Sequence, residues 1–125
     1  MINEIINKYE KFSDALISEI NYKSSIQSRN IEVIINCMNS QKDYEWETIK
    51  LIFMDVLFFK FSENENSSST LINSALLKEE KDFILLDFFP QIFGNYNLKE
   101  NVNSDFIIKC KILKYELLPM TMQGI

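Results

Sequence analysis

Acid–base chemistry in this chain would fall to two carboxylates set in apolar company, Asp55 among Phe53, Met54, Val56 and Leu57, and Asp87 among Leu85, Leu86, Phe88 and Phe89. Burial among apolar side chains disfavours the ionised form, and two such groups that converge can divide into an acid and a base. The competing reading is structural: Asp55 as a bulge residue and Asp87 as a strand-end residue, each bonded to Lys60 or to a backbone amide. The rest of the chain lends catalysis little support. With no histidine in 125 residues, the Ser-His and Cys-His nucleophile pairs, the His-containing metal sites and the commonest general base are all missing. The two glycines, Gly94 and Gly124, cannot make a Gly-x-Gly-x-x-Gly turn or a Walker loop, so no nucleotide cofactor is expected. Cys37 and Cys110 are too few and too far apart for a disulfide framework or a four-ligand zinc site. Their face-mates are Ile, Val and Phe, which predicts two buried free thiols and no metal.

Binding chemistry has a better candidate. Asp43, Tyr44, Glu45, Trp46 and Glu47 form an acidic-aromatic cluster at the start of a long strand, and aromatics flanked by charge are what protein interfaces use as anchors. The alternative is a core tryptophan with a solvated acidic edge. Lys109, Lys111 and Lys114 make a short basic stripe that reads as the solvated face of a strand. The formal charge of -5 and the single arginine, Arg29, argue against a phosphate-backbone binder and against bidentate capture of acidic ligands. The amino terminus has no basic start followed by an apolar run, and no window approaches the ~20 apolar residues of a membrane span. No nucleic acid and no membrane are expected, and the expected location is the cytoplasm.

These residues must be positioned by a single domain, 1–125, because the chain is long enough for one core and too short for two. The organising stretch is 44–61, too β-branched and aromatic for a helix, with a bulge expected near Met54 and Asp55 where the apolar set changes faces. Before it, Ile2, Ile5, Ile6, Tyr9, Phe12, Leu16 and Ile20 recur at three and four, which predicts an amphipathic helix over 2–20. Ile31, Val33, Ile35 and Cys37 alternate with a mixed set, giving a strand at 31–38, and Asn39 to Asp43 reads as the turn of a hairpin. Ser62 to Ser69 reads as a polar, mobile loop. Further strands are expected at 70–77, where Leu71, Ala75 and Leu76 also fit helical spacing, at 82–89 as an interior strand, and at 104–117, with a second bulge after Ile112. Between the last two, 91–103 reads as a surface loop anchored by Ile92, Phe93, Tyr96 and Leu98, and the tail beyond Pro119 reads as frayed.

Five strands at ~4.8 Å spacing give a sheet about 24 Å wide, more than one helix about 10 Å across can shield. The expected fold is therefore α+β: an N-terminal amphipathic helix packed on the concave side of a strongly bent, mainly antiparallel sheet of about five strands, a partial barrel. Apolar residues on both faces of 44–61 leave surface for a partner, with a homodimer as one way to cover it. No motif assigns the chain to a family. The class it fits is that of small acidic bacterial protein-binding domains, an immunity or accessory protein being the most concrete form, with a basic partner surface expected. A carrier of a small apolar ligand inside the curl is the alternative, and an enzyme using Asp55 and Asp87 comes third.

Overall fold

The computed structural model describes residues 2–94 and 97–119. Among them, one helix, α1 (Ile2–Tyr9), precedes nine strands: β1 (Ala15–Ser24), β2 (Arg29–Asn39), β3 (Glu45–Phe61), β4 (Leu71–Ile72), β5 (Leu76–Glu79), β6 (Ile84–Asp87), β7 (Gln91–Phe93), β8 (Asn97–Lys99) and β9 (Phe106–Leu117). Seven of the strands build one antiparallel sheet in the order β4-β1-β2-β3-β9-β6-β5, and β7 and β8 pair separately as a small hairpin. The sheet curls into a half-barrel. Its two edge strands, β4 and β5, are consecutive in the chain, and the Ala75 N–H donates to the Lys11 carbonyl at 2.6 Å, tying the link between them to the segment after α1.

The concave face is filled by the chain's own side chains. Ile31, Val33, Ile35 and Cys37 of β2 are fully buried beside Ile49, Leu51 and Phe53 of β3, as the two-residue period predicts. From α1, Ile2, Ile5 and Tyr9 close over this layer at the i, i+3, i+7 spacing of one helix face. Phe12 continues the cover, and Phe88 stacks on Phe106 at 4.3 Å between ring centroids.

The helix is much shorter than its spacing implies. Glu10, Phe12 and Asp14 all have φ between 52° and 59°, the left-handed region, which ends α1 and leads into β1. The second half of the expected helix is a strand with a bulge: Ala15 and Ile17 face inward, the register against β2 shifts between Ile17 and Glu19, and Ile20 and Tyr22 then take the inward side. A bulge turns a step of two into a step of three. Leu16, counted toward the helix stripe, is exposed.

Other boundaries shift for similar local reasons. The stretch 70–77 is split into β4 and β5 at opposite edges, and with β1 in place of the second half of the expected helix the count of about five strands becomes seven. The expected loop at 91–103 contains the β7–β8 hairpin, and Ile92 and Phe93 are exposed, not anchors; Tyr96 and the tail beyond Pro119 lie outside the described residues. The Ser62 to Ser69 loop is organised by the Glu63 carboxylate, which accepts from the Ser69 N–H at 2.8 Å. In β3 the register against β9 slips at Leu57, next to Asp55, whose φ is 54°. At Asp55 both strands change faces together, from Phe53 and Leu113 to Val56 and Cys110, so the expected second bulge after Ile112 appears as a coordinated turn without a slip.

Leu85 and Ile107 are buried on the opposite face of the sheet. The segment after β8 crosses there, held by Asn101, whose N–H donates to Asp87 at 2.8 Å, and by Glu100, which pairs with Lys109 at 3.2 Å.

Candidate functional site

At the end of the half-barrel where β2 turns into β3, a 3-10 turn at Ser40–Lys42 is capped by Asn39, whose Oδ1 accepts from the Gln41 N–H at 2.9 Å. Asp43 and Tyr44 follow with φ of 53° and 60°. Two consecutive non-glycine residues in the left-handed region cost about 1 kcal/mol or more each and persist only where the surroundings hold them. The holding groups are visible: the Tyr44 N–H donates to the Asn39 carbonyl at 2.9 Å, and the Tyr44 hydroxyl donates to the Glu10 carboxylate at 3.3 Å.

The five residues singled out from the sequence part company here. Asp43, Tyr44, Glu45 and Trp46 are all exposed, the two aromatics by about half (51% and 50%). Trp46 lies opposite Met38 on the convex side of the sheet, while Tyr44 reaches toward Glu10 beyond the end of α1. Glu47 turns inward and is only 9% exposed. It accepts from the Tyr9 hydroxyl at 2.8 Å and from Asn39 Nδ2 at 3.2 Å, and it pairs with Lys42 at 3.4 Å. Burial pushes the Glu47 carboxyl up, but these hydrogen bonds and the Lys42 charge outweigh it, so its pKa falls below the ordinary 4.5. Burial and the neighbouring carboxylate push the Tyr9 phenol far above its ordinary value, which keeps it a neutral donor.

Beside this network lies a cleft of about 560 Å³ bordered by Glu4, Lys8, Tyr9, Lys42, Glu47 and Tyr115. Lys8 donates to the Tyr115 hydroxyl at 2.7 Å, and that hydroxyl donates to Glu4 at 2.7 Å. The sequence reading missed Tyr9, Asn39 and Tyr115 as members, because they come from three elements distant in the chain. A larger open groove, about 790 Å³, runs between the outer side of α1 and the edge at β5, lined by Ile6, Asn7, Glu10, Leu76 and Leu98 among others.

The two carboxylates considered for acid–base work do not converge. Asp87 is fully buried, its oxygens taken by the N–H groups of Phe89 at 3.0 Å and Asn101 at 2.8 Å. Asp55 is exposed on β3, five positions before Lys60, which shares a row of the sheet with Ile107 and Asp87, roughly 17 Å away along the strand at ~3.3 Å per residue. Lys109 of the basic stripe is half-buried over the rings of Phe58 and Phe83 and paired with Glu100, while Lys111 and Lys114 are exposed. Both cysteines are free and buried. Among the described residues, no three His, Cys, Asp or Glu side chains gather as a metal-holding group, and no helix is long and apolar enough to cross a membrane.

No family model, no curated protein and no solved structure matches this chain.

Proposed function

We propose that this is a small acidic protein-binding domain whose contact surface is the β2–β3 hairpin end, with Tyr44 and Trp46 as anchors and Asp43, Glu45 and Glu10 as the surrounding charge. The observation that carries this reading is the half-exposure of two large aromatic rings on a turn fixed from inside by Asn39, Glu47 and Tyr9. A preordered hairpin loses little conformational freedom on binding, and exposed aromatics supply contact area at low entropic cost. The carboxylates favour a basic partner and speed encounter. A cytoplasmic bacterial immunity or accessory protein is the most concrete form of the proposal.

The carrier reading has less support, since Ile5, Phe12, Phe53, Phe88 and Phe106 take up the space within the curl. The enzyme reading would need Asp55 and Asp87 to act separately.

The test is affinity capture from a lysate of the source organism with the wild-type chain, Trp46→Ala, and Asp43→Lys with Glu45→Lys. A basic protein retained by the wild type, eluted by salt and lost to both variants supports the proposal. The same proteins on all three baits, or a copurified apolar ligand in native mass spectrometry, would overturn it.

A further inference from the structure

The outer edge of β1 is open. β4 covers only Ala15 and Leu16, and the Ile17 N–H is taken by the Thr70 carbonyl at 2.9 Å, so among the described residues no strand lies alongside Ser18 to Ser24. The direction of the backbone groups follows from the hairpin. The Ser25 N–H donates across to the Ser28 carbonyl, so Ser25, Lys23 and Asn21 aim at β2, while Ser24, Tyr22 and Ile20 aim their N–H and C=O groups outward. An edge of this kind is a template for another strand.

We propose that this edge pairs with the same edge of a second copy, antiparallel and two-fold symmetric about Asn21. In that register Ile20 lies opposite Tyr22 of the partner copy, both with outward-aimed backbone groups, and each such pair exchanges two hydrogen bonds. Their side chains share the concave side, where Tyr22 already stacks on Phe59 and Ile20 packs against the core. On the convex side Glu19 falls opposite Lys23 of the partner copy, twice. Glu19 is exposed and has no ion-pair partner among the described residues; Lys23, its side chain 63% exposed, touches Glu32 at 3.3 Å and can be shared.

The charges also select the arrangement. Among antiparallel registers, those shifted by one residue would set concave side chains against convex ones, and those shifted by two would separate Glu19 from Lys23. The inner edge of β1 is taken by β2, so each copy offers one free edge here and the assembly closes at a pair. β1 itself ends at Ser24, so the incoming strand stops where Thr70 and β4 begin. The β2–β3 hairpin end lies at the other end of β2 and remains free, so this pairing is independent of the partner proposed for that surface.

One edge is less than a standard interface, so the dimer is weak and concentration-dependent. Sedimentation equilibrium on the full chain, from low micromolar to near-millimolar, should show monomer passing to dimer. Glu19→Lys and Lys23→Glu, each alone, place like charges together twice and should weaken association about tenfold; the two combined restore the pairs and should restore the dimer. Asn21→Cys supplies a direct geometric readout. A non-hydrogen-bonded antiparallel pair holds Cα atoms about 4.5 Å apart, within disulfide reach, and the native thiols are buried. Asn21→Cys should form a covalent dimer under mild oxidation, and Lys23→Cys, which faces Glu19, should not. A monomer at all concentrations, single charge variants that dimerise like the wild type, or Asn21→Cys linking no faster than Lys23→Cys would each overturn the proposal.

Discussion

Glu47 is the residue on which the hairpin end depends, because one carboxylate satisfies Tyr9 from α1, Asn39 from the turn and Lys42 beside it. Replacing it with leucine leaves a buried hydroxyl and amide without an acceptor, and stability should drop by about 2–3 kcal/mol. The pH dependence follows from the direction of its shift. With a folded-state pKa below the ordinary 4.5, the carboxylate contributes fully above that value, and the contribution is lost as pH falls through the folded pKa. Urea midpoints taken from neutral into acid should fall for the wild type and flatten for Glu47→Gln. The cysteines give an independent residue-scale check. Burial pushes Cys37 up to about 12 and Cys110 up to about 11, so neither offers a thiolate near neutrality. A thiol reagent should label both only when denaturant is added; rapid labelling of the folded chain would show that one is accessible.

Elements in this fold are joined by single side chains. α1 has only eight residues, below the length at which an isolated helix is stable in water, so it is held by the stripe it buries. Ile5→Ala should therefore cost about 2–4 kcal/mol by equilibrium unfolding, the usual range for emptying a fully buried aliphatic site. The lone arginine has a structural duty at the β3 irregularity: Arg29 donates to the Val56 carbonyl at 2.9 Å and to the Leu57 carbonyl at 3.4 Å, where the ladder to β9 slips. Arg29→Ala should lower stability by about 1–2 kcal/mol, and Arg29→Lys, which keeps a charged donor on a stem of different shape, should recover only part of it. Equal stability of all three chains would mean that water serves those carbonyls as well.

For the molecule as a whole, the charge of -5 acts over distances set by salt. If the hairpin end receives a basic partner, raising salt should slow association more than it hastens dissociation, since rim charges act mainly on the on-rate and screening sets in over about 8–10 Å at physiological ionic strength. Asp43→Lys with Glu45→Lys should reproduce that slowing in stopped-flow or surface-based kinetics. Glu45 is exposed on a regular strand, so its change should stay within about 0.5 kcal/mol, whereas Asp43 sits at φ 53°, where lysine is less favoured than aspartate, so the double variant should lose no more than about 1 kcal/mol. Trp46→Ala should instead speed dissociation, by about thirtyfold if it is an anchor worth ~2 kcal/mol.

Strand alternation is a local property, and wherever one strand sets its own pattern the sequence was sufficient. The buried row Ile31, Val33, Ile35, Cys37, the long β3, the interior position of β6 and the burial of both thiols were all legible from a two-residue period and from Pro90. Tertiary structure decided the rest, for two reasons. The chain turns at Glu10, Phe12 and Asp14 with left-handed backbone and no glycine, so the break that ends α1 has no signature in composition, unlike the hairpin turn at 39–43 and the irregularity near Asp55. A bulge also converts a strand's step of two into a step of three, so the inward set of β1 is Ala15, Ile17 and Ile20, while Phe12, Leu16 and Ile20, which come from different settings, fell at helical steps of four. The direction of Glu47, inward while its neighbours stay outside, depended on Tyr9 and Asn39 arriving from elsewhere in the chain, and no periodicity within one segment carries that information.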